Sequence, residues 1–156
     1  MRIRQYAYFS MGSRQVPASE ITARLGIEPD EIMVRGTRRL DPPVPVSHAW
    51  QVVCRRPGLA LDEQVENVVS RLHPYIGQLR VLLDELRADD PEHGGGALRV
   101  VRYFDDEDGE DEELSPPHVE LQKLPGQHQL LGWVLARPVM EFLMALDIEL
   151  DADEFG

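Results

Sequence analysis

The segment IRQYAYFSMGSRQVPASEITARLGI, residues 3–27, decides the fold because two different periodicities follow one another in it. One face of residues 3–9 carries mostly apolar or small side chains, and the other carries an arginine and two tyrosines. This period of two predicts a strand with protein on one side and partial hydration on the other. After Pro17 the apolar side chains recur at helical spacing, and Gly26 follows where a helix ends in the left-handed conformation. The segment therefore predicts a strand followed by a helix.

The next third of the chain continues the mixture. A short edge strand is predicted at Glu31–Val34. Residues 38–47 contain three prolines, which cannot donate to a sheet, so they predict a stiff surface loop. Alternation returns over Ser47–Arg56, where Trp50 and Cys54 share the apolar face of a second long strand.

A leucine-rich stripe over Leu61–Leu86 has the spacing of an amphipathic helix, which Pro74 should split or kink. The glycine-rich stretch Asp89–Gly96 is predicted to be a flexible connector. A third clear strand is expected at Ala97–Phe104, directly before an acidic run.

The final third predicts further strands around one short helix. The expected elements are a strand at His118–Gln122, a turn at Pro125 and Gly126, a strand at 132–136, a helix at 137–147 and a closing strand at 147–155 with Ile148, Leu150 and Ala152 facing inward. Together these elements predict a single α+β domain spanning residues 1–156. Its mixed or antiparallel sheet should have about five strands, with helices packed on one face.

Several of these segments carry a family resemblance. They are the first strand ending in Tyr8-Phe9-Ser10, the helix PASEITARLGIEP, Arg35-Gly36 with Ser47 and Trp50 after it, the leucine-striped helix, and the closing LMALDIELDADEF. In these features the chain resembles the bacterial DUF4279 family of uncharacterised domains over nearly its whole length. The resemblance implies a compact α+β domain and brings no established activity, cofactor or catalytic residue. By analogy with other small bacterial domains, we expect a role like that of the immunity proteins that neutralise toxins.

The charge of the chain is concentrated in one place. Eight of the nine residues from Asp105 to Glu113 are acidic, and they account for most of the formal charge of the chain, which is −12. A run of like charges cannot pack in a core without counter-charges, so it must be hydrated or bind something positive. We call this run the acidic loop. It predicts a partner-binding segment made of Asp105, Asp106, Glu107, Asp108, Glu110, Asp111, Glu112 and Glu113.

The function favoured by the sequence is a non-enzymatic protein-binding module, with an immunity-type inhibitor as the specific expectation, whose acidic loop engages a basic protein partner. The alternative is an anion-binding protein or an enzyme that uses the arginine-rich loop, because guanidinium groups bind oxyanions and tryptophan offers a stacking surface. Its residues would be Arg35, Arg38, Arg39 and Trp50. For Trp50 a place in the core is the favoured interpretation, and for the arginines a hydrated rim.

Catalytic and metal signatures are not found in the sequence. The five histidines, His48, His73, His93, His118 and His128, lack zinc spacing, the acidic loop does not satisfy the calcium-loop pattern, and no glycine-rich phosphate motif follows a strand. We therefore expect no catalytic residue, metal site or cofactor, and weak nonspecific cation binding by the acidic loop is the alternative to a plain hydrated loop. Cys54 and His48 lie six residues apart on one strand, too far apart to act as nucleophile and base.

The remaining expectations concern partners and location. Net acidity argues against nucleic-acid binding, and no apolar stretch is long enough for a membrane span. A single cysteine and the absence of an apolar leader favour a cytoplasmic protein. A homodimer formed through a sheet edge is compatible with the pattern.

Overall fold

The computed structural model describes residues 2–111 and 132–156. The strands in this part of the chain are β1 (Arg2–Ser13), β2 (Glu31–Met33), β3 (Arg39–Leu40), β4 (Pro43–Val44), β5 (His48–Cys54), β6 (Gly95–Phe104), β7 (Glu110–Asp111) and β8 (Glu149–Phe155). The α-helices are α1 (Ala18–Leu25), α2 (Leu61–Leu72), α3 (Ile76–Asp89) and α4 (Arg137–Leu146).

One mixed sheet organises the described residues. Its strand order is β2-β5-β1-β6-β8, and β7 pairs with the start of β1. The pairs are antiparallel except for β6 and β8, which run parallel with α4 between them in the chain. In the central register, Phe9 of β1 lies opposite Val52 of β5 and Leu98 of β6. The two-stranded hairpin β3–β4 forms a separate small sheet.

The core lies between this sheet and the helices. Alternate side chains of β1, β5 and β6 point toward the helices, and each helix contributes an apolar stripe to the same cluster. Among the described residues, the largest fully buried side chains are Trp50, Phe9, Phe142, Met11, Ile21, Leu72, Leu79, Leu82, Leu83, Leu86, Leu98 and Leu146. The predicted α+β fold, with a mixed sheet covered by helices on one face, is confirmed.

Two local predictions about helices are also confirmed. Gly26 ends α1 with a φ of 72°, and its N–H donates to the carbonyl of Thr22. The long leucine stripe is divided as Pro74 requires, because α2 ends at Leu72 and a 3₁₀ turn, His73–Tyr75, leads into α3.

Other local predictions were wrong. Residues 132–136 are not a strand but lead directly into α4. The stretch Asp89–Gly96 is not a simple connector: Asp90 is buried with 1% exposure, and Gly95 and Gly96 belong to β6. In the closing strand, Ile148 and Leu150 pack against the core as predicted, whereas Ala152 is exposed in the edge strand β8. The strand expected at His118–Gln122 and the turn at 125–126 lie outside the described residues.

Candidate binding site

The described part of the acidic loop, Asp105–Asp111, is fastened to the start of β1. β7 lies antiparallel to β1 with Asp111 opposite Arg2. Both carboxylate oxygens of Glu110 accept the backbone N–H of Gly58, at 2.9 and 3.0 Å. This end of the loop is therefore an ordered part of the sheet.

Two arginines of β1 hold the loop through their side chains. Arg4 donates from Nε and Nη2 to Oδ2 of Asp106, at 3.0 and 2.9 Å. Arg2 donates from Nε to Oδ1 of Asp111 at 3.1 Å and from Nη1 to the carbonyl of Glu107 at 2.8 Å. The hydrogen bond between Arg4 and Asp106 lowers the pKa of the Asp106 carboxyl and raises the pKa of Arg4, so both groups stay charged.

The other acidic side chains of this part of the loop face solvent. Asp105, Glu107 and Asp108 are exposed, and their carboxylates make no hydrogen bond or ion pair with a described residue. Glu112 and Glu113 lie outside the described residues. The structure thus divides the loop into acids that fasten it and acids that are displayed by it.

Beside the loop, the sheet face turned away from the helices carries aromatic rings. We call it the outer face. Tyr6 stacks with Tyr8 at a centroid distance of 6.0 Å, and Tyr103 stacks with Phe155 at 4.9 Å. Burial raises the pKa of the Tyr6 phenol, and the neighbouring Tyr103 acts in the same direction. The two stacked pairs, linked by the hydrogen bond between Tyr6 and Tyr103, form an aromatic row across β1, β6 and β8.

Arginine side chains cover parts of this row. The guanidinium of Arg4 lies 4.1 Å from the centroid of the Tyr103 ring, and that of Arg55 lies 4.3 Å from the centroid of Tyr6. Arg55 also forms an ion pair with Glu31 of β2. Stacking and ion pairing fix both guanidinium groups in place on the outer face.

A cavity of about 250 Å³ separates the loop from the end of β5. Its wall includes Arg4, Tyr6, Arg55, Asp108 and Glu110. One displayed acid, Asp108, and one ring of the outer face, Tyr6, therefore meet at this concave place.

The residues of the predicted anion site are not brought together in this way. Arg35, Arg38 and Arg39 are exposed around the start of β3, and their guanidiniums form no ion pair with a described carboxylate. Trp50 is fully buried, and its indole N–H donates to Oγ1 of Thr22 at 3.1 Å. The tryptophan has no exposed ring face to share with these arginines.

The histidine and cysteine of β5 lie apart. Cys54 is a free, buried thiol at the end of the strand, whereas His48 begins it and accepts the backbone N–H of Arg35 at Nδ1. Within residues 2–111 and 132–156, no three His, Cys, Asp or Glu side chains converge as a metal site requires. In the same ranges no helix has the length and apolar character needed to cross a bilayer.

Sequence reasoning identified the acidic loop but missed the residues around it. The sequence did not predict that Arg2, Arg4 and Tyr103 take part in the site. The alternation in β1 did place Arg4, Tyr6 and Tyr8 on its less buried face. The signal that could have identified this surface is the cluster of three large side chains, one arginine and two tyrosines, because a face that is merely hydrated does not require aromatic rings.

The molecule is thus an α+β domain whose fastened acidic loop borders an aromatic outer face. It belongs to the family described as domain of unknown function (DUF4279), whose model matches residues 3–155, nearly the whole chain. No curated protein and no solved structure matches the chain. Because the family description assigns no activity, the function must be argued from this surface.

Proposed function

We propose that this domain is a non-enzymatic protein-binding module, of the immunity-inhibitor type, that engages a basic partner through its acidic loop. The observation that carries the proposal is that some acids of the loop hold it to β1 while others are exposed to solvent. Arg2 and Arg4 hold Asp111 and Asp106, while Asp105, Glu107 and Asp108 remain exposed. The cytoplasmic location expected from the sequence is part of the same proposal.

A fastened loop favours binding for two physical reasons. Its carboxylates are already placed, so less conformational entropy is lost when a partner docks. Concentrated negative charge also attracts a basic surface from a distance and raises the association rate, an effect that salt screens. Both effects require no reactive group.

The outer face supports a protein partner in particular. Aromatic rings and arginines are the residue types that contribute most to protein interfaces, and here they adjoin the displayed acids. Phe155 is 49% exposed at the edge of the row. A basic partner attracted by the loop would meet this row as it docks.

The test compares two triple variants that remove the same charge. The first is Asp105→Asn, Glu107→Gln and Asp108→Asn. The matched control is Glu20→Gln, Glu28→Gln and Glu66→Gln, three exposed acids outside the loop. Partners are captured from lysate with the wild-type domain, and their association rates are then measured at several salt concentrations.

The loop variant should slow association roughly tenfold or more at low salt and flatten its salt dependence, whereas the control should change both only slightly. Equal effects of the two triples, or the retention of no basic protein above background, would contradict the proposal.

A further inference from the structure

The cavity beside the acidic loop occupies an interruption along one edge of β1. β5 pairs with β1 from Ala7 onward, and β7 pairs with Arg2 and Ile3. The cavity lies beside the residues between these two pairings, Arg4 to Tyr6, and we call it the Arg4–Tyr6 cavity. It is a built feature of the sheet, because it lies between two strands that approach the same edge from opposite ends.

Its size suits one side chain. Pockets that enclose a small-molecule ligand usually have volumes of about 300–1,000 Å³. The Arg4–Tyr6 cavity, at about 250 Å³, is smaller. Its wall combines the Tyr6 ring and Pro57 with the carboxylate-bearing residues Asp108 and Glu110. Apolar walls with acidic groups match a side chain that has an aliphatic stem and a cationic end.

The charges around the cavity favour a cation. Arg4 and Arg55 line it, but each is already paired with a carboxylate, Asp106 and Glu31 respectively. Asp108 and Glu110 add two further carboxylates to the wall. Because both guanidiniums are already paired, the carboxylate of Asp108, which has no described partner, makes the local field negative.

A buried amide next to the wall has an oxygen without a hydrogen-bond donor among the described residues. Gln64 is 2% exposed, and its amide nitrogen donates to the carbonyls of Gln5, a residue of the wall, and Leu59, at 3.3 Å each. Its Oε1 is buried and accepts no hydrogen bond in the described part of the chain. A buried acceptor of this kind is costly unless a donor reaches it.

We infer that the Arg4–Tyr6 cavity is the anchor pocket for one basic side chain of the partner, whose cationic end is held by Asp108 and Glu110. The inference rests on the proposed function for the origin of that side chain and adds the place where it binds. Asp108 is the residue to mutate in a test of the pocket, because its carboxylate has no described partner. The carboxylate of Glu110, in contrast, also accepts the backbone N–H of Gly58.

The experiment uses small probes in place of the partner. N-acetyl-arginine amide and N-acetyl-lysine amide carry the cationic end, and N-acetyl-citrulline amide is a neutral isostere of the first. Each is titrated into the isotopically labelled full chain, and the backbone amide resonances of Arg4, Gln5, Tyr6 and Gly58 are followed. The variants are Asp108→Asn and, as matched control, Asp105→Asn, which removes the same charge from the same loop outside the cavity wall.

We expect saturable shifts at these amides with at least one of the cationic probes and none with the citrulline probe. Asp108→Asn should weaken the binding at least about threefold, and Asp105→Asn should leave it within twofold. Shifts that do not saturate, or equal weakening by the two variants, would overturn the anchor pocket.

Failure of the inference is distinguishable from failure of the proposed function. If the captured partner depends on the triple loop variant while Asp108→Asn and Asp105→Asn act alike, the loop binds by diffuse charge and the pocket is refuted. If the partner binds the triple variant at the same rate as the wild-type domain, the proposed function itself fails.

Discussion

The carboxylate of Asp90 is wholly withdrawn from solvent and is held by Arg14, whose Nη2 donates to Oδ1 over 2.6 Å. The backbone N–H groups of Arg14 and His93 donate to the same carboxylate. These bonds join the end of β1 to the turn between α3 and β6. The side-chain hydrogen bond from Arg14 is the main reason that the pKa of Asp90 falls from 3.8 to about 2.

The pair predicts an acid-sensitive contribution to stability. Because the folded-state pKa of Asp90 lies below its unfolded value, its contribution is complete above the unfolded pKa and is lost as the pH falls through the folded one. Asp90→Asn should therefore lower the urea midpoint clearly at neutral pH. The gap between wild type and variant should narrow between about pH 4 and pH 2. Urea unfolding of the wild-type protein and the variant at a series of pH values measures this difference in midpoint.

The neighbouring Asp89→Asn is the matched control for that prediction. Asp89 is the last residue of α3 and is exposed, so its loss should leave the midpoint nearly unchanged at every pH. An Asp90 variant as stable as this control at neutral pH would refute a structural role for the Arg14–Asp90 pair.

Much of the fold was predictable because burial imposes a period on the sequence. β1 alternates since only one of its faces packs on helices, and the stripe of α2 and α3 breaks at Pro74 for a steric reason. The stretch 89–96 was misjudged because glycines are as typical of tight packing as of flexible loops. A Cβ on Gly94 would lie 1.9 Å from the carbonyl oxygen of Leu86, so this glycine serves a close approach.

The candidate site was predictable only in part. An acidic run is visible as composition, but its fastening to Arg2 and Arg4 joins residues about a hundred positions apart. Alternation tells which face a side chain occupies and leaves open which strand lies beside it. The aromatic row likewise depends on the register that sets Arg4 opposite Tyr103, and on the parallel pairing that sets Phe155 opposite Tyr103.

Two glycines should respond to alanine with opposite signs. Gly26 has a φ of 72°, where a Cβ is strained, so Gly26→Ala should cost about 1–2 kcal/mol of unfolding free energy. Gly77 lies in α3, and a Cβ there meets nothing within 4 Å, so Gly77→Ala should add up to about 1 kcal/mol. Denaturant unfolding of both variants measures the signs, and a stabilising Gly26→Ala would contradict the left-handed helix end.

Tryptophan fluorescence should report a dry environment for Trp50. The chain has two tryptophans, so the measurement uses a Trp133→Phe variant in which Trp50 is the sole emitter. Since Trp50 is fully buried, its emission should be blue-shifted and weakly quenched by iodide or acrylamide, and phosphate or carboxylate anions should leave it unchanged. Strong quenching in the native protein, or an anion-dependent change, would restore Trp50 as a ligand-binding residue.

The thiol of Cys54 offers an independent measure of how the sheet opens. It is 2% exposed and lies opposite Ala7 at the end of the β1–β5 pairing, so a thiol reagent reaches it only when this part of the core opens. We expect slow modification of the native protein and immediate modification in concentrated urea. The destabilised Asp90→Asn variant should react faster than the Asp89→Asn control, because its open form is more populated. Rapid labelling of the wild-type protein without denaturant would show that the end of β5 frays independently of the core.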